Sequence, residues 1–349
     1  MKQIKQVYDM LEDETSKDIY INKVNYLVTG KSCYLEHIID VCVPELKRSK
    51  CSLAQDIRKK FPGLDVVIWG CGYLVQNNIE FCKEIERLIG FCDHDSKKQR
   101  DGFCGFPVIS PEELWLNYKD VVIVIGTGNY YEEIKAELSK RGFPYEHIIN
   151  FGNYVSMSSA RQYFEEPFLD YGAEEIFVDA GAFDLFSTRR LWGICGERLK
   201  KAYAFEPDKV NYERCRRIVE ERDLSYIKLL PYGTWDEVTT LNFSQASSAA
   251  SSISEDGNTV IQTRTIDSSV DRGERVTFIK MDVEGAELKS LMGAQNTIQR
   301  YRPKLAICIY HKDEDMIQIP LYIKSLVPEY RLYVRHYSNN ACETVLYAV

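Results

Sequence analysis

The sequence lacks any apolar run that could cross a bilayer. Its purely apolar stretches are short, as at Val121 to Ile125, against the roughly 20 residues a spanning helix needs. The opening Met1-Lys2-Gln3-Ile4 has no apolar core of signal-peptide length, so a cytoplasmic location is expected. Basic excess is missing too. Lys and Arg number 44 against 52 Asp and Glu, for a net charge of -8. A nucleic-acid surface normally carries a basic stripe, so RNA and DNA are disfavoured as partners. The eleven cysteines are an odd number and none falls in a C-x-x-C pair. Reduced thiols explain that pattern better than a disulfide framework or a thiolate zinc site. Histidine is scarce, with five in all.

What is present is ordinary globular composition, 45% hydrophobic and 28% charged over 349 residues, a length that suits two domains. Residues 1 to about 60 read as helices, with Val7, Met10 and Leu11 on one face and Asp13 or Ser16 placed to cap a second helix. This segment is expected to pack on the next domain or to form a homodimer. Residues 61–152 then alternate strand and helix signals. Strands are expected at Leu64–Trp69, Ile89–Asp93, Pro107–Ile109, Val121–Ile125 and Ile148–Ile149, implying a parallel sheet covered on both faces. Residues 153–172 read as a linker. A second alternation fills 173–349, with strands at Ile176–Val178, Ala202–Phe205, Lys228–Leu230, Phe278–Met281, Leu305–Ile309, Tyr330–Val334 and Glu343–Val349. The fold class is therefore α/β, with two Rossmann-like doubly wound domains behind a helical segment. The Ser/Ala-rich patch Ser244 to Ser254 is expected as a loop near the site.

Four strand ends carry the chemistry. Phe177-Val178-Asp179-Ala180-Gly181-Ala182-Phe183-Asp184 is a buried strand running into an acid and a glycine turn. Open parallel sheets bind ligands at their carboxyl ends. An acid there repels a pyrophosphate but suits a ligand with positive groups, such as the ammonium and sulfonium of S-adenosylmethionine. Tyr203-Ala204-Phe205-Glu206-Pro207-Asp208 places a second carboxylate, Glu206, where it can accept hydrogen bonds from ribose hydroxyls. Phe278 to Glu287, reading FIKMDVEGAE, clusters Lys280, Asp282, Glu284 and Glu287 at a third strand end. Asp282 and Glu284 could hold an acceptor hydroxyl, the ligand's ammonium, or a magnesium ion through oxygen. Two carboxylates alone do not assign a metal, and none is assigned. His311, after Ile309-Tyr310, stands where a general base would stand, or is structural.

Together these motifs resemble the FkbM family of methyltransferases from about Ile176 to the end, including the tail Arg335-His336-Tyr337 with Thr344-Val345-Leu346-Tyr347. The resemblance implies a class I Rossmann-like, S-adenosylmethionine-dependent enzyme that methylates oxygen on a sugar, glycan precursor or natural-product hydroxyl, in the manner of polysaccharide biosynthesis. It implies cofactor contacts at Asp179, Gly181 and Glu206, with Ala182, Pro207 and Asp282 beside them. His311, Asp282, Glu284 and Lys280 are then expected at the acceptor, with His311 as base and Lys280 steadying a carboxylate or alkoxide. Relatives often have glycine where this chain has Leu185, which would crowd the helix start.

The first alternating domain resembles small nucleotide-binding modules. Trp69-Gly70-Cys71-Gly72, Phe91-Cys92-Asp93-His94-Asp95 and Ile125-Gly126-Thr127-Gly128 carry that likeness, and a sugar nucleotide is expected on Gly70 and Gly72 with Asp93 at its ribose. Val75 stands in place of the third glycine of a dinucleotide motif, which disfavours a nicotinamide oxidoreductase. The alternative to the enzyme is a non-catalytic nucleotide or sugar-nucleotide binding protein.

Overall fold

A computed structural model of the chain describes residues 2–44, 46, 52–76, 78–127, 131–155, 159, 161–244, 252–253 and 259–349. It divides into two units, residues 43–159 and residues 1–42 with 160–349. This differs from the expected boundaries: the helical segment 1–60 is split, and most of the expected linker 153–172 joins the larger unit. No described helix is long and apolar enough to cross a membrane.

In unit 43–159, strands β1 (Asp65–Trp69), β2 (Leu88–Cys92), β3 (Val108–Ile109), β4 (Val121–Ile125) and β5 (Ile148–Asn150) form one parallel sheet in the order β3-β2-β1-β4-β5. Successive residues of β1 feed opposite faces, as the two-residue period of a strand demands. Val66 and Ile68 pack with Leu53, Ile57 and Cys82. Val67 and Trp69 pack with Leu114, Leu138 and Phe143.

The larger unit has a seven-stranded sheet in the order β15-β16-β14-β13-β6-β7-β8. Its strands are β6 (Glu175–Ala180), β7 (Leu199–Phe205), β8 (Ile227–Leu230), β13 (Phe278–Met281), β14 (Lys304–Cys308), β15 (Leu332–His336) and β16 (Thr344–Ala348). The first five run parallel, and β16 is antiparallel to both β14 and β15. The strand order reverses between β6 and β13, and ligands in such sheets bind at the carboxyl ends flanking that point. Between β8 and β13 lies a smaller sheet of β9 (Gly233–Thr234), β10 (Thr240–Ser244), β11 (Ser252–Ile253) and β12 (Thr259–Arg264), which the sequence reading did not anticipate. Most of the Ser/Ala patch falls outside the described residues, as do Gly128, Ser156 and Ser158.

The N-terminal helices Lys2–Met10, Glu14–Thr29 and Ser32–Cys42 belong to this unit through the edge of its sheet. Ser16 Oγ accepts from the Val334 amide at 2.9 Å, and Glu12 donates to the Leu332 carbonyl at 3.0 Å. Arg335 reaches Asp13 at 2.6 Å. An edge strand has unpaired backbone groups that must be covered, and residues more than 300 positions earlier cover β15. Buried Lys23 donates to the Ala341 carbonyl. On the opposite face, residues 161–171 bring Tyr163, Phe164, Phe168 and Tyr171 against Phe177, Phe278 and Tyr347.

Candidate active site

Asp179, next to last in strand β6, has no exposed surface. Its Oδ1 lies 3.0 Å from Lys280 Nζ on β13, and its Oδ2 accepts from Thr188 at 2.7 Å. Lys280 is equally buried and spends its remaining donors on the carbonyls of Gly181 at 2.7 Å and Ala180 at 3.4 Å. Asp179 and Lys280 neutralise each other beneath the turn, and Lys280 clamps it to the neighbouring strand.

Gly181 follows with φ +81°, and a Cβ there would stand 1.9 Å from the Asp282 carbonyl oxygen. A glycine is needed here because two strand ends converge. The amides of Gly181 and Ala182 both bond the Phe205 carbonyl, at 3.2 and 2.9 Å, and Phe183 donates to Glu206 Oε2 at 2.8 Å. The turn is therefore stitched to β7. Glu206 Oε1 accepts from Asp208 at 2.9 Å, so each oxygen keeps a second lone pair for an incoming hydroxyl. Burial pushes the Glu206 carboxyl up to about 7, against the pull of those two amides. Pro207 is half-buried behind it.

Leu185 adopts the left-handed conformation, φ +62°, that explains a glycine preference there. Its side chain is fully buried with Leu191, Ala202 and Cys215, so it points into the core and does not crowd the helix start. Replacing Leu185 with Gly would relieve about 1–2 kcal/mol of backbone strain and lose about 2–5 kcal/mol of core packing. We expect the variant to be less stable by about 1–3 kcal/mol in urea unfolding. A stabilised variant would show that strain outweighs burial.

The third strand end gathers the acids. Asp282 Oδ2 accepts from Tyr163 at 2.9 Å and Oδ1 from Tyr310 at 3.2 Å. Burial raises the Asp282 carboxyl, but the charges of Lys280 and His311 and the Tyr163 hydroxyl outweigh it and hold the group below its usual range. His311 Nε2 lies 3.5 Å from Asp282 Oδ1 and 3.4 Å from Glu284 Oε2, and Nδ1 lies 2.8 Å from Glu287 Oε1. Burial lowers the ring's pKa, yet Glu287, Asp282 and Glu284 together lift it to about 9. By themselves these three carboxylates favour the charged imidazolium of His311. Glu284, at φ +54°, has its carboxyl pushed up to about 7 by burial and by the neighbouring carboxylates, against the pull of His311. Glu343, also near 7 through burial and Asp282, accepts from Gln162.

Gln162, Tyr163, Thr188 and Glu343 were not anticipated. The signal for Tyr163 was available: an exposed linker would not carry Tyr163, Phe164, Phe168 and Tyr171 so close together. Conversely, the tail motif is packing. His336 is buried with Nδ1 3.0 Å from Thr344 Oγ1, and the Tyr337 and Tyr347 hydroxyls bond each other at 2.6 Å.

In unit 43–159 the candidate ribose carboxylate is engaged. Asp93 Oδ2 accepts from the Cys71 amide at 2.8 Å and lies 3.3 Å from Lys98 Nζ, while Oδ1 accepts from the Asp95 amide at 3.0 Å. The turn's glycines serve packing as well. A Cβ on Gly70 would meet Thr127 at 2.4 Å, and one on Gly126 would meet Val75 at 2.3 Å. Asp93 thus closes its own turn.

Residues 170–340 match a family model described as methyltransferase FkbM domain, and residues 64–149 match one described as C2185-like, N-terminal. Among solved structures, the methyltransferase FkbM from Methylobacillus flagellatus KT is similar at 20% identity, over 88% of this chain and 98% of that one, with a TM-score of 0.49. A putative methyltransferase from Streptococcus mutans, solved with SAH, is similar at 15% identity over 51% of this chain and 91% of its own, TM-score 0.33. The fibrillarin of Aeropyrum pernix, solved with natively bound S-adenosyl-L-methionine, is similar at 13% identity over 53% and 70%, TM-score 0.35. No curated protein matches.

Proposed function

We propose that the protein transfers the methyl group of S-adenosylmethionine to a hydroxyl oxygen of a small-molecule or saccharide acceptor. The observation that carries this reading is the placement of Glu206 and the Asp282–Glu284 pair at the carboxyl ends of β7 and β13, on either side of the point where the strand order reverses. The match of residues 170–340 to the methyltransferase FkbM domain supports it. In this reading Glu206 takes the ribose hydroxyls, Gly181 and Ala182 form the floor, and the donor's cationic end faces Asp282. Asp179 and Lys280 position that floor from below. The acceptor sits against Asp282, Glu284 and His311, with Tyr163 and Tyr310 fixing Asp282.

Holding donor and acceptor in line supplies the larger share of catalysis, about 7–11 kcal/mol, and proton removal a smaller one, about 10²–10⁴-fold. The test is transfer of isotopically labelled methyl from S-adenosylmethionine to a panel of sugar hydroxyl and amine acceptors. Label is expected in an alkali-stable ether. Label on nitrogen alone would overturn the oxygen assignment.

A further inference from the structure

We propose that Asp282, Glu284 and His311 bind one divalent cation of the Mg²⁺/Mn²⁺ class. The site stands on the geometry; its use in methyl transfer rests on the function proposed above.

One ligand atom from each of the three residues can be chosen so that all lie within 4.8 Å of one another. His311 Nε2 is 3.4 Å from Glu284 Oε2 and 3.5 Å from Asp282 Oδ1. Around a cation with ligand bonds of about 2.0–2.2 Å, neighbouring ligand atoms stand about 3–3.5 Å apart. Both contacts of Nε2 therefore already have the spacing of neighbouring ligands in a coordination shell.

A cluster of acids can exist without a metal, so the second observation matters. The His311 side chain is only 10% exposed, and its Nε2 has no hydrogen-bond partner. Nε2 is aimed between the two carboxylates. Behind the ring, fully buried Glu287 approaches Nδ1 at 2.8 Å, and its own Oε1 is fixed by the Val283 amide at 2.9 Å. Metal-bound histidines almost always have a carboxylate or carbonyl on the other nitrogen, which sets the ring's tautomer and orientation. Glu287 occupies that place. Asp282 is held in turn by the hydroxyls of Tyr163 and Tyr310, the outer support that ligating carboxylates receive.

The donor set points to the class of ion. Two carboxylates and one imidazole, with the Glu343 carboxyl nearby, make an oxygen-rich site with one nitrogen, which suits hard cations over thiolate-seeking ones. Asp282 and Glu284 are 25% and 32% exposed, so the open side of the shell faces outward. There an acceptor oxygen could enter, and a bound cation would polarise it.

Titration with Mn²⁺ alone, followed by the loss of its free electron paramagnetic resonance signal, tests the site on the full chain. The expected result is one ion per chain, with affinity at least ~10-fold weaker in both Glu284→Gln and His311→Gln and competed by Mg²⁺. S-adenosylhomocysteine binding measured on the same variants is expected to persist, which also shows them folded. Wild-type protein that leaves Mn²⁺ free at a few hundred micromolar, or variants that bind it like the wild type, would overturn the proposal and leave the cluster an internal ion-pair network. Mn²⁺ binding without S-adenosylhomocysteine binding would keep the cation site and remove the methyltransferase reading.

Discussion

Asp179→Ala is expected to lower stability by about 3–5 kcal/mol, the cost of leaving a buried charge without its partner. Lys280 would be that charge. It lies 3.0 Å from Asp179, and the two side chains are 3% and 0% exposed. Urea unfolding reads the effect directly. Asp179→Leu combined with Lys280→Met removes both charges and is expected to recover most of the loss, since an apolar pair can replace a buried ion pair at little cost. The turn would still lose the bonds Lys280 makes to Gly181 and Ala180. An Asp179→Ala protein with unchanged stability but no donor binding would instead make Asp179 a ligand contact.

Gly181→Ala is expected to cost about 2–5 kcal/mol, combining a left-handed backbone that disfavours any side chain with overpacking. The added Cβ meets the Asp282 carbonyl oxygen at 1.9 Å and its carbon at 2.9 Å. Both are backbone atoms and cannot swing aside. The strand ends of β6 and β13 must part, so donor binding and Mn²⁺ binding are both expected to fall with stability. Alanine at Gly273 is the control. It shares the positive φ but has nothing within 4 Å of the new Cβ, so only the strain of about 1–2 kcal/mol should appear. Equal losses in the two variants would show that the close approach contributes nothing.

Much of this was legible in the sequence because strand ends announce themselves. An apolar run such as Phe177-Val178 or Phe278-Ile279, broken by an acid and a glycine, states both the strand and its functional edge. The late strand pair was readable for the same reason. What stayed hidden was direction and partnership. The motif letters place Asp179 and Lys280 at a site, but only the register pairing Asp179 with Lys280 across β6 and β13 shows that they face each other. Glu343 and Gln162 lie far along the chain from Asp282, and no local pattern links them. The N-terminal helices cover β15 through Ser16, Asp13 and Glu12, a contact between chain ends that periodicity cannot express. The small sheet β9–β12 was missed because its strands flank a polar patch and lack an apolar run.

Calorimetric titration with S-adenosylhomocysteine, comparing wild type with Glu206→Gln, tests the central claim most directly. The neutral isostere suits a site whose burial already raises the carboxyl to about 7. A group whose folded pKa is raised favours folding only below its unfolded pKa and loses that contribution as pH climbs through the folded value. The variant should therefore be at least as stable as wild type above pH 7. The account predicts wild-type binding on the order of micromolar, weakened about 10–100-fold in the variant by the lost charge-assisted hydrogen bonds. Wild-type affinity should strengthen from about pH 6 to 8 as Glu206 ionises, and the variant's should stay flat. A folded wild-type protein that does not bind S-adenosylhomocysteine, or a variant that binds it equally well at every pH, would contradict it.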